Sequence, residues 1–276
     1  MMRRLAGVAL ALLAAIGAAG SAAAIPALLV TSPEGLRPIA IYEGNKFFQP
    51  AQNLREQELL GKDLLERSRD LPLFFNGEEK NAFALSEFRL TPPPCSGGGL
   101  WAGTTKHPLT RPLLSFTPDF PGPRRYIGSY PSSSFNKLAD QMSRKVYQAH
   151  KVPAAKLAGL KIRHIDPFTL INGTRILVSV ESDIFPVERS CPDYNLLMVF
   201  EKVGLRYKVV LERFRHNTRD CAGYRLLGSF ASGPTIDKLV VQGSSPTASW
   251  YDIFQIQAFG GLKQVYHGGG HSCSKT

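Results

Sequence analysis

Residues 193–210 read DYNLLMVFEKVGLRYKVV, and residues 249–266 read SWYDIFQIQAFGGLKQVY. At an offset of 56, Tyr194 falls on Trp250, Gly204 on Gly260 and Val209 on Val265. Each stretch is an apolar, aromatic run, a glycine break, and a second run of mixed character, which predicts a β-hairpin. Just upstream, TLINGTRILVSVES (169–182) matches FASGPTIDKLVVQGSS (230–245) at an offset near 60. A glycine-containing loop, a buried strand, a variable loop and a hairpin make one small sheet. One such sheet cannot bury both of its faces alone, so the expectation is a unit used twice with its faces covered.

Working outward, strand follows strand from about residue 160. The candidates are Lys161–His164, Arg175–Ser182, Asn195–Lys202, Tyr207–Phe214, Tyr224–Phe230, Lys238–Gly243, Trp250–Ala258 and Leu262–His267. Short strands with frequent turns predict an antiparallel meander over 151–276. At the front, residues 36–50 read as a hairpin turning at Gly44-Asn45, and residues 72–90 as another turning at Asn76-Gly77. Asn-Gly is the strongest short turn signal, because both central residues of the favoured turn need positive φ. Between them, Leu54, Leu59, Leu60, Leu64 and Leu65 have helical spacing, weakened by Gly61. Residues 134–150 read as one clear helix, with Ser134 as cap, a Leu138, Met142, Val146 stripe, and Asp140 placed to pair with Arg144. The fold class is therefore mainly β with minor α: a hairpin-built β unit over 25–102, a Pro/Gly/Ser-rich basic linker with its helix over 103–150, and the meander with two blade-like repeats over 151–276.

The repeat unit resembles the FG-GAP/VCBS type of propeller blade found in exported proteins. Leu239-Val240-Val241 and Leu177-Val178 match that blade's strand. The acidic calcium loop that opens such a blade is not matched. The corresponding loops read Leu170-Ile171-Asn172-Gly173-Thr174 and Ser232-Gly233-Pro234-Thr235, without the carboxylates that calcium requires. The resemblance covers about 165–267 and carries no ligand residue across, and two units are too few to close a propeller. The front hairpins resemble the start of some uncharacterised exported bacterial proteins, which implies no activity.

Composition bounds the rest. The chain has 276 residues, 43 % of them hydrophobic, with 33 Lys+Arg against 22 Asp+Glu for a net charge of +11. That excludes a disordered chain. Met1-Met2-Arg3-Arg4, the apolar run Leu5 to Ala19 and the small residues Ser21 to Ala24 read as a secretory signal peptide (1–24) cleaved after Ala24, the alternative being an uncleaved anchor. The mature chain is then periplasmic or secreted, with no further stretch long and apolar enough to span a membrane. Four cysteines in an exported chain predict disulfides, and four allow three pairings. Cys191 and Cys221 flank a hairpin and can meet at its open end, which leaves Cys95 with Cys273.

Charge is unevenly placed. Residues 103–163 hold eleven basic and two acidic side chains, a local +9. Such a stretch attracts polyanions. From it come the candidate anion-binding residues Arg111, Arg124, Arg125, Lys137, Arg144, Lys145 and Lys151. The partners it implies outside the cytoplasm are anionic lipid, envelope polymer or acidic protein, with no specific nucleic acid.

Recognisable reaction chemistry is sparse. There is no G-x-S-x-G elbow, P-loop, H-E-x-x-H or dinucleotide glycine pattern. The tail His267-Gly268-Gly269-Gly270-His271-Ser272-Cys273 is metal-like in composition, but its glycines leave it unorganised and Cys273 is better used in a disulfide, so no metal or other cofactor is expected. The reading leans to a non-catalytic binding or accessory protein that engages an anionic envelope component through its basic connector. The alternative is a secreted hydrolase of envelope or extracellular polymer, which needs a cleft of convergent polar groups with one strongly displaced pKa.

Overall fold

The computed structural model describes residues 25–32, 35–50, 54–90, 95–96, 99–121, 131–169, 175–186, 191–204, 206–218, 221–231, 236–258 and 260–273. The leader, Arg124, Arg125 and the glycine loops 170–174 and 232–235 lie outside them. The described residues are mainly β with two α-helices, and their sheets are antiparallel.

The front of the chain supplies β1 (Ala27–Ser32), β2 (Gly35–Glu43), β3 (Lys46–Phe48), β4 (Asp70–Phe75), β5 (Glu78–Leu90), β6 (Cys95–Ser96), β7 (Gly99–Thr105) and β8 (Leu114–Phe116). Strands run in the order β1-β8-β4-β5-β7-β2-β3, and β1 also pairs with β2, closing six strands into a ring. Closure removes the exposed edges that an open sheet presents. Both predicted hairpins form. Gly44 and Asn45 have φ of 53° and 64°, and Asn76 and Gly77 have 49° and 74°, the left-handed pairs that a two-residue turn requires.

Helix α1 (Leu54–Arg67) lays Leu60 and Leu64 against Leu29, Leu71, Leu73, Phe83 and Trp101 of the ring. The buried indole of Trp101 donates to the Gly61 carbonyl at 3.1 Å. Gly61 is a packing requirement: a Cβ there would lie 2.4 Å from the Phe88 ring. Residues 103–121 differ from the surface linker expected of them. Leu113, Leu114, Phe116 and Phe120 are buried, and β8 sits between β1 and β4, because this short apolar run completes the ring.

The rest of the chain forms two four-stranded meanders. The first is β9 (Leu160–Thr169), β10 (Ile176–Ile184), β11 (Tyr194–Val203) and β12 (Arg206–His216). The second is β13 (Gly223–Ala231), β14 (Ile236–Ser244), β15 (Ser249–Ile256) and β16 (Leu262–Gly268). The segments that overlay at an offset of 56 are the third and fourth strands of these sheets, turning at Gly204 (φ 59°) and Gly260 (φ 95°).

The layers stack α2, first meander, second meander, ring. Helix α2 (Asn136–Ala149) packs Ala139, Val146 and Tyr147 on Val178, Val180, Leu196 and Met198. Leu138 and Met142 of the expected stripe join them, and Asp140 pairs with Arg144 at 2.8 Å. Ser134 is not the cap. It lies in a short 3-10 turn whose buried Phe135 occupies the N-cap position without a side-chain bond. The other face of the first meander, with Leu177, Leu197 and Val199, meets Leu226, Leu239, Val241 and Phe254 of the second. The opposite face of the second, with Leu227, Phe230, Val240 and Ile253, meets Leu28, Val30, Phe74, Leu114 and Phe116 of the ring.

A disulfide and a short strand pairing staple these layers. The Cys191–Cys221 disulfide joins the loop before β11 to the loop before β13, with Cα atoms 5.2 Å apart. At the tail, β17 (Ser272–Cys273) pairs with β6 and sets the backbone of Cys273 opposite that of Cys95. Tyr266 reinforces this closure by donating its hydroxyl to the Ile39 carbonyl at 2.6 Å. Peptide mapping of the unreduced protein is expected to recover Cys95 linked to Cys273 as well as Cys191 to Cys221. The substitution Cys273→Ala should lower the unfolding free energy by about 2–4 kcal/mol, read by denaturant titration.

Candidate functional site

Strand β10 alternates between two environments. Val178 and Val180 face α2. The opposite face begins with Leu177 in the apolar interface with the second meander, and then passes through Ser179 to Glu181 and Asp183. Ladder pairing aligns polar neighbours with it: Asp166 opposite Ser179 and His164 opposite Glu181 on β9, and Asn195 opposite Asp183 on β11. The two meanders thus pack with apolar side chains at one end and meet polar ones at the other. Here a cavity of about 700 Å³ opens, with Arg111, Lys161, Arg163, Glu181, Asp183 and Arg225 in its lining.

Arg111 ties three layers together. It arrives from the segment before β8. Its Nη1 donates to Asp166 Oδ2 at 3.2 Å, and its Nη2 donates to the Leu226 carbonyl of β13 at 2.8 Å. The guanidinium lies 3.8 Å above the Phe75 ring and 3.6 Å from Glu181 Oε1. Glu181 Oε1 also accepts the Leu226 N–H at 2.8 Å.

Glu181 is only 8 % exposed. Burial pushes its carboxyl up to about 7, against the opposing pull of Arg111 and the Leu226 N–H. Arg111 does not reverse the shift because it lies closer to Asp166 than to Glu181. Burial likewise raises Asp183, opposed by the Asn195 amide (2.9 Å) and by Arg163. Asn195 in turn accepts the Tyr224 N–H at 2.7 Å, so its amide orientation is set by both sheets. His164 is held below the ordinary imidazole range by burial and then by Arg111. Glu181 and His164, cross-strand neighbours on one wall, are thus displaced so that both favour their neutral forms. Deeper on the same strand, the buried Ser179 hydroxyl has no hydrogen-bond partner among the described residues.

The rim is cationic. Lys161 and Arg163 project from β9 and sit 5.6 and 5.5 Å from the Phe185 ring, while β13 contributes Arg225. Four cations therefore surround three carboxyls, one of which is partly protonated at neutral pH.

The basic residues singled out in the sequence are divided by the fold. Arg111 reaches the cleft, although as an internal tie. Lys137, Arg144 and Lys145 lie on α2, across the first meander from the cleft. There Arg144 is engaged by Asp140 and by the Leu157 carbonyl (3.1 Å). Lys151 is exposed just beyond that helix, and Arg124 and Arg125 are outside the described residues. The tail histidines have separate partners: His267 Nδ1 is 2.6 Å from Asp252 Oδ1, and His271 Nδ1 is 2.8 Å from Ser249 Oγ. Cys221 lines the cleft and Cys191 is bonded to it, so that disulfide braces its wall.

The residues the sequence did not single out are His164, Asp166, Glu181, Asp183 and Arg225, together with Lys161 and Arg163, which belong to the basic stretch but not to its candidates. The available signal was in β10: two acidic residues two apart, on the strand face that Leu177 places in the core.

No family model, curated protein or solved structure matches this chain.

Because Glu181 is raised in the folded state, folding takes up a proton between about pH 4.5 and 7. Stability therefore falls as pH rises through that window, by roughly 3 kcal/mol, and the loss is complete above it. Glu181→Gln removes this dependence. In urea titrations the variant should match wild type near pH 4.5 and exceed it by roughly 2–3 kcal/mol at pH 8. A difference that does not change with pH contradicts the assignment.

Proposed function

We propose that the protein is an exported, non-catalytic binding or accessory protein that takes a segment of anionic envelope polymer into the cleft between its two meanders. The observation that carries this reading is the convergence of Lys161, Arg163 and Arg225 around a 700 Å³ opening whose most buried carboxyl is partly neutral. A cleft with a cationic rim and low-dielectric walls concentrates anions and speeds their capture. The exposed basic face of α2, with Lys137 and Lys145, extends the same attraction beyond the cleft.

Export, with cleavage after Ala24, is part of the proposal. It is supported by the leader pattern and by the Cys191–Cys221 disulfide, a bond that persists in oxidising compartments. Among the described residues no helix is long and apolar enough to cross a membrane.

A second reading, a hydrolase of the same polymer, is favoured by one specific feature. Glu181 and His164 stand opposite each other, one a carboxyl that holds its proton near neutrality and the other an imidazole that stays neutral there. This is the division of labour that acid–base catalysis uses.

Binding is tested by calorimetric titration of the secreted chain with a poly(glycerol phosphate) oligomer at low and high salt. Affinity should fall steeply with salt. Lys161→Glu with Arg163→Glu should weaken binding by roughly tenfold or more at low salt. Lys137→Glu with Lys145→Glu should weaken it by less. Salt-independent binding, or equal loss in both pairs, contradicts the cleft. Shortening of the oligomer on incubation, absent in Glu181→Gln, would instead establish the hydrolase.

A further inference from the structure

We propose that the cleft seats one oxyanion of its polymer directly against Glu181, so that ligand binding and protonation of Glu181 are a single coupled event. The inference rests on the reading of the cleft as the polymer site.

The argument starts from the groups that face Glu181. From its own strand come Ser179 and Asp183, from β9 His164 and Asp166, from the segment before β8 Arg111, and from β13 the Leu226 N–H and Arg225. Arg111 cannot turn to an incoming anion without releasing Asp166 and the Leu226 carbonyl. The Leu226 N–H is already bonded to Glu181 Oε1. The rim cations Lys161, Arg163 and Arg225 are exposed, and Arg163 lies 3.6 Å from Asp183. An anion drawn inward from them passes Asp183, which Arg163 faces, and reaches the Glu181 carboxyl two residues along the same strand face.

That encounter has opposite signs in the two protonation states. Ionised Glu181 repels an oxyanion, and protonated Glu181 donates an O–H to it. Glu181 stands near the midpoint of this choice at neutral pH. A bound oxyanion raises its proton affinity further, so ligand and proton bind with mutual reinforcement, as linkage requires. Phosphodiester and carboxylate groups both supply the oxyanion, and neither changes charge between pH 5.5 and 8.5.

The test is calorimetry on the secreted chain at constant ionic strength at about pH 5.5, 7 and 8.5, in two buffers of different ionisation enthalpy. The probes are a poly(glycerol phosphate) oligomer and an oligogalacturonate. The expected result is an affinity at least roughly tenfold higher at pH 5.5 than at pH 8.5, with net proton uptake of up to one per bound ligand near pH 8. Glu181→Gln should bind with little pH dependence and no proton uptake. His164→Gln should keep the dependence, which separates Glu181 from the imidazole beside it. The probe that shows the coupling names the oxyanion.

Wild-type binding without proton uptake, or a pH slope that survives in Glu181→Gln, overturns this inference and leaves the polymer-binding reading standing. No binding of either probe at any pH overturns both. Thermal unfolding of each variant confirms that a loss of binding is not a loss of fold.

Discussion

The second meander is apolar on both faces, and everything else in the molecule is arranged around covering it. Along β14, Leu239 and Val241 face the first meander while Val240 faces the ring. Burying such side chains is worth about 1.5–3 kcal/mol each, and a sheet left bare on either side would forfeit that and expose a large adhesive surface. The first meander covers one face and needs α2 for its own outer side. The ring covers the other face and packs Leu60 and Leu64 of α1 against its remaining apolar side chains. Four layers follow from one doubly apolar sheet.

The cleft is where that covering stops. Apolar contact between the meanders extends from Leu177 and Val199 only as far as β10 continues to offer hydrophobic side chains. Beyond Ser179 the strand offers carboxylates, and two such surfaces cannot close without leaving charges dry and unpaired. The gap is held open rather than collapsed by Arg111, by the Asp183–Asn195–Tyr224 chain and by the Cys191–Cys221 bond. The rigidity of the two sheets and the partial dryness of Glu181 have the same origin. A carboxyl placed at the boundary between core and solvent is displaced by the core and remains reachable from the solvent.

Local features of the fold were legible in the sequence and long-range ones were not. Asn76-Gly77 marks its turn because the φ requirement is met within two residues. The stripe Leu138, Met142, Val146 marks a helix because it buries one face whatever it packs against. Ring closure has no such mark: β8 is three residues long, and its partners β1 and β4 are distant in sequence. Gly61 weakens the helical pattern until the Phe88 ring that needs its space is known. The site was hidden for the same reason. Arg111 is one of eleven basic residues in its stretch, and nothing local distinguishes it; its partners lie 55 and 115 positions away. Glu181 reads as a polar residue on a strand until the second meander is laid over it.

The central claim is that Glu181 sits at the dry boundary of the two meanders and therefore holds its proton into the neutral range. Carbon-13 NMR of the protein labelled at glutamate carboxyl carbons, with Glu181→Gln to assign the resonance, measures this directly. The account predicts a Glu181 titration midpoint near pH 7, well separated from the other glutamates. A midpoint near the ordinary value of 4.5 would show a solvated carboxyl and contradict the account.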